Sequence, residues 1–555
     1  MSENQRGQWT RRPGRPARRR RLATAAACAL GLLAGRPAYG AGTVVPAAQL
    51  PAGARQADID ALVARAQRTF AVPGVAIGIV KDGKTLFAKG YGVRSAGAPG
   101  AVGADTLFGI GSNTRAFTVA ALAMLVDEGK LNWDDKVIDH LPAFRLYDPV
   151  VTREFTVRDL LTHRSGLGLG AGDLMIFPHT DFTREEIIHN LRFLKPVTSF
   201  RSKFAYDNLL YIVAGQLIPA VSGLSWEDFV QSRILDRLDT GCAVDLVHAS
   251  GKADIAAPHV PTAGKPAAIA PDKSTALDPA GSIQCSAAGM AKWMAVQLAS
   301  GRAADGRPLF GEARHAEMWT PQTIITSLPP TAAMTRTHFR DYGLGWMLED
   351  YDGFERVWHT GGLVGMVSYV SLLPEQHVGL VVLTNQQSGG AIGALMQTLT
   401  DRFVGAPPRD WIAYFSDVEA KREGEGAAAD RAAALGGAAA GQPALPPAAY
   451  VGVYRDPWRG EATVRRVGDK LRLTFSRTDD MQGDLTAYKG NLFVVRWDDR
   501  GLNADAWVRF STDFTGAVDG MTMKPVSPTT DFSFDFQDLD FTKSAPAASA
   551  ADPAR

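Results

Sequence analysis

Cysteine is scarce in this 555-residue chain, with Cys28, Cys242 and Cys285 making up the whole set. None of the three stands at zinc-ligand spacing. The ten histidines are scattered and include no His-Glu-x-x-His, so the sequence offers no metal centre and implies no cofactor. Charge of one sign is lacking too. Lys and Arg number 59 against 58 for Asp and Glu, a formal net charge of +1, which leaves no global field to attract nucleic acid or an anionic membrane. There is no Gly-x-Ser-x-Gly, which removes the nucleophile elbow of the α/β-hydrolases. No apolar run has the length of a membrane span. Leu22 to Gly35 is apolar but short, follows Arg18-Arg19-Arg20-Arg21, and precedes the small-residue site Ala38-Tyr39-Gly40-Ala41. Residues 1–40 therefore read as a secretory signal, and the chain as exported, periplasmic or secreted. Cys28 lies inside the apolar run and not at its end, so it does not read as a lipid attachment site. Export permits a disulfide between Cys242 and Cys285, but they are read as two separate buried thiols.

What is present is enough apolar residue (46% of the chain, with 21% charged) for more than one folded unit. Residues 75–93 are two apolar runs around Asp82-Gly83, a hairpin signal. Residues 116–128 place Phe117, Ala120, Leu122, Ala123, Leu125 and Val126 on one wide helical face, closed by Gly129. Residues 155–260 read as helix and loop, 281–299 as a helix, 343–385 as strands, and 391–404 as a closing helix. Strands at both ends with helices between them predict an α+β domain whose antiparallel sheet is built from both termini around a helical insertion. Residues 406–446 are Ala/Gly/Pro-rich and read as a partly helical linker. From 447 to 543 short alternating segments, "FSFDFQ" the last of them, predict a small all-β barrel or sandwich. The tail, 544–555, reads as disordered. Few contacts are expected to cross the linker, so a chain ending near Pro407 is expected to fold and keep its activity.

Three motifs carry chemistry. "GSNTRAFT" (111–118) sets Ser112 at a helix start and Arg115 one turn later; alone, Ser-Asn-Thr before a helix is an N-cap. A serine becomes a nucleophile only with a base and an oxyanion hole, and a helix N-terminus favours the developing negative charge. "KFAYDNLLYIVAGQLI" puts Tyr206 and Asn208 at the start of a second helix, where Asp207 or Asn208 alone would be the cap. His359-Thr360-Gly361-Gly362 sits between two strands as a glycine-rich turn.

In that order and spacing the motifs resemble the serine β-lactamase and penicillin-binding protein superfamily, above all the class C β-lactamase-related serine hydrolases. "LLTHRSGL" (160–167), "AAPHV" (256–260), "PAGSIQCSAAGMAKWM" (279–294) and "YGLGWML" (342–348) add to the likeness. It spans about residues 57–405, and the C-terminal β domain is similar to one that many members carry. The resemblance implies a β-lactamase/transpeptidase-like fold with Ser112 as the acylated nucleophile and Tyr206 as general base. Asn208 would hold the substrate amide or the surroundings of the tyrosine. His359 stands on the strand edging the site, where penicillin-binding proteins keep a lysine, and Thr360, Gly361 and Gly362 would line the substrate channel. The oxyanion hole would be the N–H of Ser112 and that of Gly362 or Leu363. Arg115 departs from the family's lysine. It keeps the charge and can depress the pKa of Tyr206, but a guanidinium stays protonated and cannot relay a proton. His359 would take over as acceptor only if the fold brings it near Tyr206. Two functions stay open: acyl transfer to Ser112 from a small ester, a D-amino-acid-containing peptide or a peptidoglycan-like substrate, or a catalytically impaired protein that binds a peptidoglycan fragment or peptide in the same cleft.

Overall fold

The structure, a computed structural model, describes residues 51–544 apart from 52, 253, 263, 273 and 440–442. Residues 1–40, read as a secretory signal, and the tail from 545 lie outside the described residues. Among the described residues no single helix is long and apolar enough to cross a membrane.

The N-terminal hairpin joins the C-terminal strands, as the sequence pattern implies. An eight-stranded sheet runs Lys84–Gly92, Gly74–Lys81, Val378–Thr384, Met366–Leu373, Phe354–Leu363, Met347–Tyr351, Arg340–Tyr342 and Thr323–Ile324 in spatial order. The first hairpin turns on Asp82 and Gly83, both at positive φ (49° and 73°), the backbone that matches strand twist. Val75 lies opposite Thr384 and Lys81 opposite Val378. Period-two alternation explains why these strands are apolar on both sides. Val75, Ile77 and Ile79 face one core with Ile59, Val63 and Leu395, whereas Ala76 and Val80 face the other with Phe117 and Trp293.

The helix Thr114–Asp127 differs from the expected one-faced helix. It is buried all round from Thr114 to Leu125, because the helical insertion wraps it. The expected helix at 281–299 starts later, at Ala287, where Ser286 accepts a bond from Gly289 N (3.0 Å). The preceding residues are used otherwise: Gln284–Cys285 pairs with Phe108–Gly109. Cys285 is also disulfide-bonded to Cys242, with Cα atoms 4.5 Å apart. This corrects the reading of two separate thiols. Cys242 lies in an irregular loop and reaches Cys285 through tertiary approach, which no local pattern reports.

The last strands form a closed eight-stranded antiparallel barrel, from Gly452–Asp456 to Asp540–Lys543. Two details differ from the sequence pattern. Gln482–Lys489 is a strand, and "FSFDFQ" is not. Its alternation is real but sorts side chains across an interface: Phe534 and Phe536 are buried in the core, while Phe532 is partly exposed.

Residues 406–446 are not a free linker. They fold into the helix Trp411–Ala439, which packs on the helices Gly389–Val404 and Gln56–Phe70 and against the barrel strand Gln482–Lys489. Trp411 and Ile412 are buried, Trp411 Nε1 donates to Asp401 Oδ2 (2.7 Å), and Glu419 Oε1 accepts from Gly390 N (2.6 Å). The barrel is bound directly as well. Arg477 pairs with Asp181 and Glu186 and lies over the Phe182 ring, and Asn190 Nδ2 donates to Trp458 O (2.9 Å). The Ala/Gly-rich composition hides these contacts, because they are made by the few large residues of the helix, Trp411, Ile412 and Glu419, near its start.

The expectation for a chain ending near Pro407 is thereby reversed. It would uncover the Asp401 side of the domain and leave buried N–H groups without acceptors, each worth about 1–3 kcal/mol. Such a chain is expected to be insoluble or to melt far below the full chain in thermal unfolding. A soluble fragment with the same midpoint would contradict this packing.

Candidate active site

The turn Gly111–Asn113 runs straight into the helix Thr114–Asp127, and none of Ser112, Asn113 and Thr114 caps it. The cap reading of Ser112 therefore fails, because each polar group has other work. Asn113 Nδ2 donates to Ser368 Oγ (2.7 Å), Ser368 Oγ donates to Ile110 O (2.5 Å), and Thr114 Oγ1 accepts from Ile283 N (3.2 Å). Glycines let the turn press against the strand Phe354–Leu363. Gly111 has φ +52°, and a Cβ on it would meet Gly362 N at 2.7 Å; one on Gly361 would overlap Ile110 O. From Val357 to Leu363 that strand pairs with Met366–Leu372. Its other side is paired only from Phe354 to Trp358, which leaves His359 to Leu363 as a free edge. Ser112, Tyr206, Asn208, His359, Thr360, Gly361 and Gly362 all line one cleft of about 660 Å³.

Ser112 and Tyr206 line the same cleft, with the serine side chain close enough to act on the phenol. Burial raises the pKa of the phenol above its ordinary 10.0. Arg115 and Ser112 pull it down without overcoming burial, and Asp173 pushes it up. Arg115 is fully buried, with its guanidinium 4.5 Å over the Tyr206 ring and 4.9 Å over that of Tyr211. It donates to Ala280 O (3.2 Å) and to Asn208 Oδ1, while its Nε has no partner. Its bonds thus go beside Ser112 and not to it. Asn208 is occupied at both ends, since Nδ2 donates to Asp173 Oδ2 (2.6 Å). Asp207, buried beside them, accepts from Leu210 N (3.2 Å) at the start of the helix Leu209–Ser222, and burial raises its pKa to about 7.

His359 lies in the cleft wall but is no free base. Nδ1 is 2.6 Å from Thr360 O, a carbonyl that can only accept, so Nδ1 carries the proton. Nε2 is then the acceptor for Tyr342 OH at 3.1 Å. The rings of His359 and Tyr206 are 6.1 Å apart, and burial with the nearby Arg115 charge lowers the histidine pKa to about 3. Thr360 is exposed beside it.

Several site residues escape a motif reading. His163, from "LLTHRSGL", has its ring 4.4 Å from Tyr206 and accepts from Asp207 N at Nδ1 (3.0 Å). Asp173 is buried, and burial and the neighbouring Asp535 and Asp207 hold its carboxyl well above the usual range. The barrel contributes Phe532, edge-on to Tyr206 at 6.1 Å. The alternating "FSFDFQ" was the available signal for that segment. Among the described residues no group of three or more His, Cys, Asp or Glu could hold a metal ion.

The family model described as Beta-lactamase matches residues 59–401, and a domain of unknown function (DUF3471) matches 438–543. An "unguisins hydrolase" of Aspergillus violaceofuscus is 28% identical over 434 residues, covering 72% of this chain and 74% of the relative. The octameric penicillin-binding protein homologue from Pyrococcus abyssi superposes with a TM-score of 0.58 at 21% identity, over 88% of this chain and all of that one. A D-stereospecific amidohydrolase from Streptomyces gives 0.50 at 22% identity, over 62% of this chain and 99% of that one.

These pKa directions fix a pH profile. A tyrosine raised above 10 is protonated at neutral pH, and its basic form grows as pH rises. With His359 neutral above about 3, it adds no inflection near neutrality. For a neutral ester, log kcat/KM is expected to climb steadily from about pH 6 to about pH 10. A plateau beginning near pH 7 in a steady-state profile would show that another group, His359 or Asp207, is the base.

Proposed function

The chain belongs to the β-lactamase family and is a serine hydrolase, and from that premise we propose that it is exported and cleaves an ester, or a peptide bond beside a D-amino acid, by acyl transfer to Ser112. The observation that carries this reading is the meeting of Ser112 and Tyr206 in one cleft beside the strand segment His359–Leu363, whose outer side is left unpaired by Met347–Tyr351. Ser112 Oγ attacks the carbonyl, and Tyr206 in its phenolate form takes the hydroxyl proton and delivers it to the leaving group. The N–H groups of Ser112 and of Gly362 or Leu363 receive the oxyanion, and water then releases the acyl group. Arg115 supports the phenolate as a fixed charge and carries no proton.

A second chamber of about 530 Å³ adjoins the cleft, sharing Leu277, Gly281 and Leu363 with it and continuing past Val364, Met366 and Ile255. Its apolar walls favour a substrate with a bulky apolar acyl part. The likeness to a D-stereospecific amidohydrolase supports an amide substrate with a D-residue. The Cys242–Cys285 disulfide supports export. The second reading, a protein that holds a peptidoglycan fragment or peptide without turning it over, draws on Arg115 and on the raised pKa of Tyr206, which together leave no ready base at neutral pH.

Covalent labelling separates the two. Purified protein treated with a fluorophosphonate or a penicillin is expected to gain one adduct, mapped by mass to Ser112. Ser112→Ala is expected to abolish the adduct and ester turnover, with stability changed by less than about 0.5 kcal/mol because no cap is lost. Ser165 and Ser282 are committed to backbone bonds, with Leu167 N and Val244 O. An adduct on either contradicts the assignment, and no adduct under any condition favours the binding protein.

A further inference from the structure

The barrel reaches the cleft through residues 531–533, between its strands Val518–Pro525 and Asp540–Lys543. Behind Phe532 lies Asp535, fully buried. Its Oδ2 accepts from Gly172 N (2.6 Å) and its Oδ1 from Leu174 N (3.0 Å). Those two N–H groups flank Asp173, which holds Asn208, and Gly170 of the same turn donates its N–H to Tyr206 O (2.9 Å). The turn 170–174 is thus gripped by the barrel on one side and grips Tyr206 and Asn208 on the other. Ser533, two residues before Asp535, lines the cleft as well.

We propose that Asp535 is a positioning residue for acyl transfer: by fixing the 170–174 turn it fixes Tyr206 against Ser112 and Asn208 against Arg115, so the active site is built from both domains. This rests on the Ser112 reading above. The chemistry of the grip is specific. Two convergent N–H donors need two acceptor oxygens, and water does not reach the place to substitute. An amide supplies one acceptor and turns its NH2 against the other donor. No group of Asp535 touches a reacting atom, so its effect on rate is geometric, and small displacements of catalytic groups cost up to about a hundredfold.

The test is Asp535→Asn in the full chain, with ester turnover divided by the number of serines titrated by fluorophosphonate. The proposal expects kcat per titrated serine to fall about tenfold or more, with KM changed less than about threefold. Arg477→Ala, which removes barrel ion pairs with Asp181 and Glu186 but leaves the 170–174 turn alone, is expected to lower the melting midpoint and leave kcat per titrated serine unchanged. Asp535→Glu keeps both acceptors on a longer arm and is expected to lose less than the amide. If neither Asp535 variant folds, hydrogen exchange in the wild-type chain decides. The Gly172 and Leu174 amides must exchange as slowly as those of barrel strands, and fast exchange overturns the proposal. Unchanged kcat per titrated serine in Asp535→Asn overturns it while leaving the Ser112 reading intact. No adduct on wild-type Ser112 overturns both.

Discussion

A guanidinium that water does not reach has to be satisfied by the fold around it, and the site is arranged around that need. Arg115 has no solvent exposure, two hydrogen-bonded directions and two aromatic faces, those of Tyr206 and Tyr211. Desolvated cation–π contacts are worth about 2 kcal/mol each, enough to offset part of the burial cost but not to replace hydrogen bonds. Asn208 completes the pairing, and it is itself fixed by Asp173. Arg115 is thereby linked through Asn208 and the turn at Asp173 to the barrel. The same arrangement explains why Tyr206 stays a phenol: the charge beside its ring lowers its pKa, and burial outweighs it.

The two domains meet where this chain of contacts ends. Glycine at 111 and 361 lets the serine turn and the edge strand close up from one side. Asp535 closes the other side by holding the turn under Tyr206 and Asn208. Between them the cleft opens toward Thr360 and toward the apolar chamber behind Leu363. Rigid walls and one permanent charge suit acyl transfer, in which charge appears on an oxyanion and must be met by groups already in place.

Much of this was legible in the sequence, for physical reasons. Asp82-Gly83 demands a hairpin turn, apolar strands at both ends demand a sheet that joins them, and Ser112 and Tyr206 sit at the starts of helices as local spacing implies. His359-Thr360-Gly361-Gly362, read as a glycine-rich turn, instead lies inside the strand Phe354–Leu363, because its glycines serve the close approach of the Ser112 turn and not a reversal of the chain. What was not legible depends on tertiary approach. Cys242 and Cys285 meet across 43 residues. Ala- and Gly-rich residues 411–439 looked unfit for packing, yet Trp411, Ile412 and Glu419 at the start of that helix anchor it to its neighbours. "FSFDFQ" alternates as a strand would, but its period serves a barrel plug and a cleft wall. The tautomer of His359 and the bond partners of Arg115 follow from distances that no motif encodes.

The claim at the centre is that Arg115 supplies charge without a proton relay. Arg115→Lys tests it most directly, because it puts a titratable amine at the same helix position. The pH–rate profile of ester hydrolysis is the measurement. The account predicts a rate at neutral pH higher by about tenfold or more, and an additional ionisation beside that of Tyr206. A lysine variant that is inert or slower, with the profile of the arginine protein, would contradict it and would make the guanidinium itself the working group, through its hold on Asn208.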